Sequence, residues 1–187
     1  MFKKYWKFFV IFWSVVLVGI IGVFVFFWLI SAGKLGFMPT FEELENPNNR
    51  FASEVYFADG PIMNRYFEKE NRKYIEYREI PQSVIDALIA TEDVRFYDHS
   101  GVDVRGLFRV AKGLLTANTS AGGGSTISQQ LAKMLFPRES DLNVFELAIR
   151  KFREWVIAVR LEKSYTKEEI LTMYLNKYDF LNLAVGI

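Results

Sequence analysis

The chain has no cysteine among its 187 residues. That excludes a disulfide framework, a thiolate nucleophile and a lipidated cysteine. It has a single histidine, His99, so a histidine-based metal cluster is excluded as well. An excess of one charge is also missing, since 23 Lys and Arg stand against 22 Asp and Glu. Setting aside Lys3, Lys4 and Lys7 leaves 20 bases and 22 acids in the remainder, a net of −2. The basic footprint of a nucleic-acid binder is absent, and nucleic acid is excluded as a partner. Any catalysis must rest on carboxylates, hydroxyls and fixed cations.

Apolar residues are abundant, at 51%. From Phe8 to Gly33 there is no charge, and Phe8 to Ile30 is almost wholly apolar. About 20 apolar residues suffice to cross a bilayer as helix, whereas a signal peptide has an apolar run of only about 7 to 15. Ser31-Ala32-Gly33 is a poor cleavage site after so long a stretch, so the segment reads as an uncleaved anchor. Three lysines before the span keep the N-terminus in the cytoplasm by the positive-inside rule and send residues 34 to 187 outside. Trp6, Trp13 and Trp28 are placed to mark the interfaces. The length allows one domain beside this span.

The chain divides into a cytoplasmic tail at 1–7, a transmembrane anchor at 8–32, a stalk and β-hairpin segment at 33–79, and a helical domain at 80–187. Pro39, Glu42, Glu43, Glu45, Pro47, Asn48 and Asn49 mark the stalk. Residues 52–57 and 62–67 flank Ala58-Asp59-Gly60-Pro61, a hairpin with a glycine-containing turn. Pro81 fits the first turn of a helix whose apolar stripe is Val84, Ile85, Leu88 and Ile89. Asp103 caps a short helix that runs through Arg109, and Thr126 with Gln129 and Thr166 with Glu169 fit capping boxes.

Glu92 stands seven residues after Ile85 and four after Leu88, so periodicity continues the buried stripe through it. A carboxylate there is desolvated, with its pKa raised toward that of a general base. The plain alternative is a helix-end glutamate that turns to water. Gly122-Gly123-Gly124 enters a helix start at Ser125/Thr126, where exposed N–H groups and the positive dipole end make an anion site. Thr126, Gln129, Gln130 and Lys133 share the polar side of that helix, with Ile127, Leu131, Met134 and Leu135 on its apolar side. Taken alone, a glycine run before a capping Thr marks only a helix start. Glu154 lies within one turn of Arg150 and Lys151, opposite Phe145, Ile149, Phe152 and Val156. Spacing alone allows a surface salt bridge of about 0.2 to 0.5 kcal/mol. Ile157, Ala158 and Leu161 extend the Glu154 side as apolar surface, so that side is expected to be covered.

The run Glu92-Asp93-Val94-Arg95-Phe96-Tyr97-Asp98-His99-Ser100-Gly101-Val102-Asp103, followed by Gly123-Gly124-Ser125-Thr126-Ile127-Ser128-Gln129-Gln130-Leu131-Ala132-Lys133, resembles the first two motifs of glycosyltransferase family 51. Arg150-Lys151-Phe152-Arg153-Glu154 resembles its third motif, and Tyr174-Leu175-Asn176 with Val185-Gly186-Ile187 its fourth. Ser128 stands where Thr is usual and Met134 where Asn is frequent. Tyr178-Asp179-Phe180-Leu181 departs from the frequent aromatic-Gly pattern. The segment from Ala52 to Phe67 is similar to the one preceding the glycosyltransferase domain in class A penicillin-binding proteins. The resemblance implies a mainly α, lysozyme-like helical glycosyltransferase domain. The family domain continues beyond the position of Ile187, so a C-terminally incomplete domain is expected.

The resemblance further implies lipid II and the growing glycan strand as partners, at the outer face of the bacterial cytoplasmic membrane, beside cell-wall synthesis and division proteins. Glu92 and Glu154 take the family's catalytic positions. Arg109, Ser125, Thr126, Gln129, Gln130, Lys133, Arg150 and Lys151 take substrate-binding ones, and His99 a structural one. Glu92 then accepts the proton of the acceptor 4-hydroxyl while undecaprenyl pyrophosphate leaves with inversion. A divalent cation such as Mg2+ or Mn2+ is compatible with the departing pyrophosphate, though none is required. Two other classes stay open: a non-catalytic membrane-anchored binder or scaffold, and a lysozyme-like glycan hydrolase working with paired carboxylates.

Overall fold

Apolar length determines the first element of the computed structural model, which describes residues 2–40, 43–44, 53–60, 62–66, 74–116, 123–136 and 143–178. Helix α1 covers Phe2–Ser31, and its stretch Tyr5–Ser31, 27 residues, is long and apolar enough to cross a membrane. Its end shows why Ser31-Ala32-Gly33 is a helix stop. Gly33 takes φ +70, its N–H reaches the Ile30 carbonyl at 2.9 Å, and the Lys34 N–H reaches Leu29 at 3.0 Å. This paired closure needs a left-handed residue, which glycine supplies without steric cost.

The chain forms two compact units, Met1–Met38 with Leu142–Val156, and Pro39–Asp141 with Ile157–Ile187. In the first, Phe152 sets its ring edge-on to Phe26 and Phe27, with centroids 5.3 and 5.8 Å away. Such aromatic pairs contribute about 0.5 to 1.5 kcal/mol each beyond area burial. Phe152 belongs to a long helix over Val144–Ser164. That helix starts with a reciprocal cap absent from the sequence reading: Glu146 N–H donates to the Asn143 side chain at 3.0 Å, and Asn143 N–H to the Glu146 carboxylate at 2.9 Å.

In the second unit, strands β1 (Ser53–Tyr56) and β2 (Ile62–Tyr66) pair antiparallel, with an irregularity between Val55 and Tyr56. The hairpin ends proposed at residues 52 and 67 lie outside the described residues, as do Gly122 and the fourth-motif positions 179–187. The helices that follow are α2 (Gln82–Glu92), α3 (Val104–Leu115), α4 (Ile127–Leu135), α5 (the Val144–Ser164 helix) and α6 (Lys167–Lys177). Pro81 is extended, with ψ 133, and precedes α2 as its cap, one position earlier than expected. Thr166 and Glu169 form the expected capping box of α6.

The core of this unit joins Ile85, Phe96, Ile127, Leu131, Leu161, Ile170, Leu171 and Tyr174, all essentially inaccessible. Burying an aliphatic side chain of this size contributes about 1.5 to 3 kcal/mol. Ile157, Ala158 and Leu161 are buried as their spacing predicts. At the end of α6, Asn176 exchanges hydrogen bonds with Ile75: its Nδ2 donates to the Ile75 carbonyl at 2.9 Å and its Oδ1 accepts from the Ile75 N–H at 3.0 Å. The buried asparagine thus acts as a strand partner for the segment that leads into α2.

Candidate functional site

Glu92 closes α2 and is exposed, so the expected continuation of the buried stripe fails there. Ile85 is buried, but Val84, Leu88 and Ile89 are only half-covered. The stripe opens into an apolar groove of about 490 Å³ whose walls include Val84, Leu88, Tyr174 and Tyr178. The residue that turns inward is the next one. Asp93 leaves the helix with φ −157 and ψ 73 and carries its carboxylate into the core, 7% exposed.

A relay holds Glu92. Tyr174 donates its hydroxyl to Gln130 Oε1 at 2.9 Å, and Gln130 Nε2 donates to Glu92 Oε2 at 2.7 Å. The Tyr174 phenol is pushed far above its ordinary range by burial first and by the Glu92 charge second. It therefore stays a donor, which fixes the amide with its NH2 toward the carboxylate.

On its other side Glu92 lines a polar pocket of about 140 Å³ with Arg95, Asp103, Arg109, Ser125 and Thr126. Arg109 Nη2 donates to the Gly123 carbonyl at 3.3 Å. Arg95 grips Asp103 through Nη2 and through Nε, the latter at 3.1 Å. The hydrogen bond from Arg95 holds the Asp103 carboxyl below the usual range, helped by the Gly106 N–H at the start of α3.

The start of α4 departs from the anion site that was expected. The Ile127 N–H donates to Asp93 Oδ2 at 3.1 Å, and the Gln129 N–H to the Thr126 hydroxyl at 3.2 Å. Two of the first amides are thus spent inside the protein, and a carboxylate already answers the helix dipole. Thr126 caps α4, but the reciprocal arm of a capping box is missing. Gln129 is buried, not on a polar outer side, and donates its amide to the Gly101 carbonyl at 3.2 Å, where the Thr126 hydroxyl also donates at 2.7 Å. Gly101 sits at φ +94, and a Cβ there would come within 2.8 Å of the Ala158 backbone. Only glycine fits both demands.

His99 has the structural place expected of it. Its Nδ1 accepts from the Gly101 N–H at 3.2 Å, so in the neutral ring Nε2 carries the proton and donates to Asp93 at 3.0 Å. Below it, Lys167 donates to the His99 carbonyl at 2.7 Å and to Glu162 at 2.7 to 2.8 Å, with Phe96 4.2 Å beneath its ammonium. Ser128 donates its hydroxyl to the same Glu162. Periodicity gives no signal for Glu162, Lys167 or the relay role of Tyr174, because their partners lie far away in sequence.

Gln130 and Thr126 therefore gather around Glu92 with Arg109 and Ser125, while Gln129 is withdrawn into the core. Lys133 is exposed on α4. Arg150, Lys151 and Glu154 belong to the first unit, where Lys151 Nζ pairs with Glu154 at 2.9 Å and the Glu154 side chain is 12% exposed. Among the described residues no three His, Asp or Glu side chains cluster for a metal. Asp93 and Asp103 spend their oxygens on internal donors.

A family profile described as Transglycosylase matches residues 59–187. Penicillin-binding protein 1A of Escherichia coli K12 is 38% identical over 150 residues, 80% of this chain and 17% of that protein. Penicillin-binding protein 1A of Pseudomonas aeruginosa is 38% identical over 150 residues, 80% of this chain and 18% of its own length. Penicillin-binding protein 1F of Bacillus subtilis is 42% identical over 118 residues, 63% of this chain and 16% of its own length. The chain thus spans less than a fifth of each of these relatives. On the profile and these identities, the chain belongs to the transglycosylase family, glycosyltransferase family 51, and corresponds to the N-terminal glycosyltransferase part of class A penicillin-binding proteins.

Proposed function

We propose that the chain carries the peptidoglycan glycosyltransferase reaction, joining lipid II to a growing glycan strand with release of undecaprenyl pyrophosphate. The observation that carries this reading is the Tyr174–Gln130–Glu92 relay, which presents a carboxylate where a cation-bearing pocket and an apolar, tyrosine-lined groove share an edge. Glu92 accepts the proton of the acceptor 4-hydroxyl as the new β-1,4 bond forms. The donor's α-linked pyrophosphate leaves from the opposite face of the anomeric carbon, giving inversion. Pyrophosphate departs as a stable anion, so its charge needs cations more than protonation. Arg109 and Lys133 supply them on this reading, while Arg150, Lys151 and Glu154, the second family glutamate, keep the roles that the resemblance implies.

A hydrolase acting on a glycosidic bond needs a second carboxylate about 5 to 9.5 Å from the first to direct water or attack the sugar. Asp93 and Asp103, the other carboxylates of the pocket, are committed to His99 and Ile127 and to Arg95. That supports transfer over hydrolysis. The apolar helix α1 agrees with a substrate held on a lipid, and on this reading the reaction takes place at the cytoplasmic membrane with the domain outside. Cell-wall synthesis and division proteins are the expected neighbours.

The test is incubation of the detergent-solubilised chain with labelled lipid II, beside Glu92→Gln. Glutamine retains an oxygen for Gln130 but cannot take the proton, so polymer and released undecaprenyl pyrophosphate are expected to drop roughly 10²- to 10⁴-fold. Lipid II bound but not polymerised by the parent supports the binder reading instead. Cleavage of preformed glycan by the parent supports the hydrolase.

A further inference from the structure

Glu92 ends an apolar face of α2 that the reaction as described leaves unused. Val84, Leu88 and Glu92 follow at steps of four, so they share one side of the helix. That side is one wall of the groove of about 490 Å³, and α6 supplies the other with Tyr174, Leu175 and Tyr178. Small-molecule sites fall in the range of about 300 to 1,000 Å³. The two tyrosines stack, with centroids 5.2 Å apart and planes at 23°. Tyr174 is buried and its hydroxyl goes to Gln130, while Tyr178 is half-buried at the wall. Tyr178 opens the stretch that departs from the family pattern, so the resemblance assigns it no role.

Charge separates the two sides of Glu92. Among the described residues that line the groove, Glu92 is the one charged side chain, whereas the polar pocket is lined by Arg95 and Arg109 as well. A pyrophosphate in the groove would face that carboxylate between apolar walls, a repulsion that water screens little. The groove therefore fits a neutral group with an apolar side. We propose that it seats the acceptor's 2-acetamido sugar, with the acetyl methyl against Leu88 and Leu175 and the C–H face of the ring on Tyr178. The inference rests on the proposed function, in which Glu92 takes the proton of the acceptor 4-hydroxyl. Leu88 stands one turn before Glu92, about 6 Å along the axis, comparable with the span from a pyranose 4-oxygen to the methyl of its 2-acetamido group. The negative face of an aromatic ring attracts the weakly positive C–H edge of its partner. Leu88 and Tyr178 thus determine which acceptor sugar is accepted.

The test gives the detergent-solubilised full chain lipid II whose terminal sugar carries either an N-acetyl or an N-propionyl group. One methylene too many in an apolar pocket costs about 10- to 200-fold, so the acetyl substrate should polymerise at least roughly tenfold faster. Leu88→Ala should narrow that preference by making room. Equal rates in the parent, or a preference that Leu88→Ala leaves unchanged, overturn the inference and leave the transferase reading standing. Binding is read separately by saturation transfer from the protein to methyl N-acetyl-β-glucosaminide. The acetyl methyl should receive saturation in the parent and lose most of it with Leu88→Phe, which fills the groove, and with Tyr178→Ala. Saturation in a parent that makes no polymer supports the sugar site and removes the transferase reading instead. No saturation in the parent overturns the inference, and so does a Leu88→Phe defect that varies with the length of the prenyl chain, since the groove would then hold the lipid tail.

Discussion

Removing the ammonium of Lys167 strands a carboxylate in the core, and the cost can be worked out from the structure. The Glu162 side chain is 4% exposed and that of Lys167 23%, so the acid is sealed and the base is reached by water from one side. Breaking a fully buried ion pair from one side costs about 3 to 5 kcal/mol. Partial access to water at Lys167 lowers this to about 2 to 3 kcal/mol for Lys167→Met. In Glu162→Gln the ammonium keeps the His99 carbonyl and its solvent, and the amide still accepts from Ser128. The loss should be about 1 to 2 kcal/mol. With both changes no charge is left buried, and the double variant should lie about 1.5 to 2 kcal/mol above the sum of the singles.

The assay is thermal unfolding of the detergent-solubilised chain by intrinsic fluorescence, at one scan rate. At about 2 to 4 °C per kcal/mol for a chain of this length, Lys167→Met should lower the midpoint by roughly 4 to 12 °C. The double variant should recover several degrees of the combined loss. Additive midpoints would refute the reasoning, because the carboxylate would then have another way to be neutralised than through Lys167.

Two further outcomes follow from the site. The depressed pKa of Asp103 means that its bond to Arg95 contributes stability fully above the unfolded carboxyl range near pH 4, and loses it as pH falls through the lower folded value. Asp103→Asn should therefore be less stable than the parent at pH 7, with the gap narrowing below about pH 4; a gap constant from pH 7 to pH 3 contradicts this. Tyr174→Phe leaves the ring stacked on Tyr178, 5.2 Å between centroids, but removes the donor that fixes Gln130. On the proposed function the polymerisation kcat should fall roughly tenfold, about 1.4 kcal/mol, with KM for lipid II little changed; an unchanged kcat removes the relay from the mechanism.

What was legible in the sequence was what neighbours decide. The apolar run of α1, the Thr166–Glu169 cap and the burial of Ile157, Ala158 and Leu161 each follow from residues within two turns of one another. Glu92 and Asp93 show the limit. Periodicity favoured burying the first, whereas the backbone exit from α2 and the waiting donors Ile127 N–H and His99 Nε2 bury the second. Gln129 fails for a related reason. Its spacing from Thr126 suits a capping box, but the Gly101 carbonyl, 28 positions earlier, claims its amide. Lys167 and Glu162 read as a lysine after a cap and a glutamate on a charged helix, until Ser128 and His99 are brought to them.

The filled start of α4 changes how an anion can be held in the pocket. A helix N-terminus offers the equivalent of about half a positive charge. Here the Asp93 carboxylate, 3.1 Å from the Ile127 amide, already meets that charge with a full negative one. The dipole therefore serves to hold motif one against motif two, and contributes no net attraction for a phosphate. Arg95 is likewise balanced by Asp103. Arg109, which lines the same pocket, donates to the Gly123 carbonyl at 3.3 Å. On the proposed function, a leaving pyrophosphate is therefore met by side-chain cations and not by the start of α4.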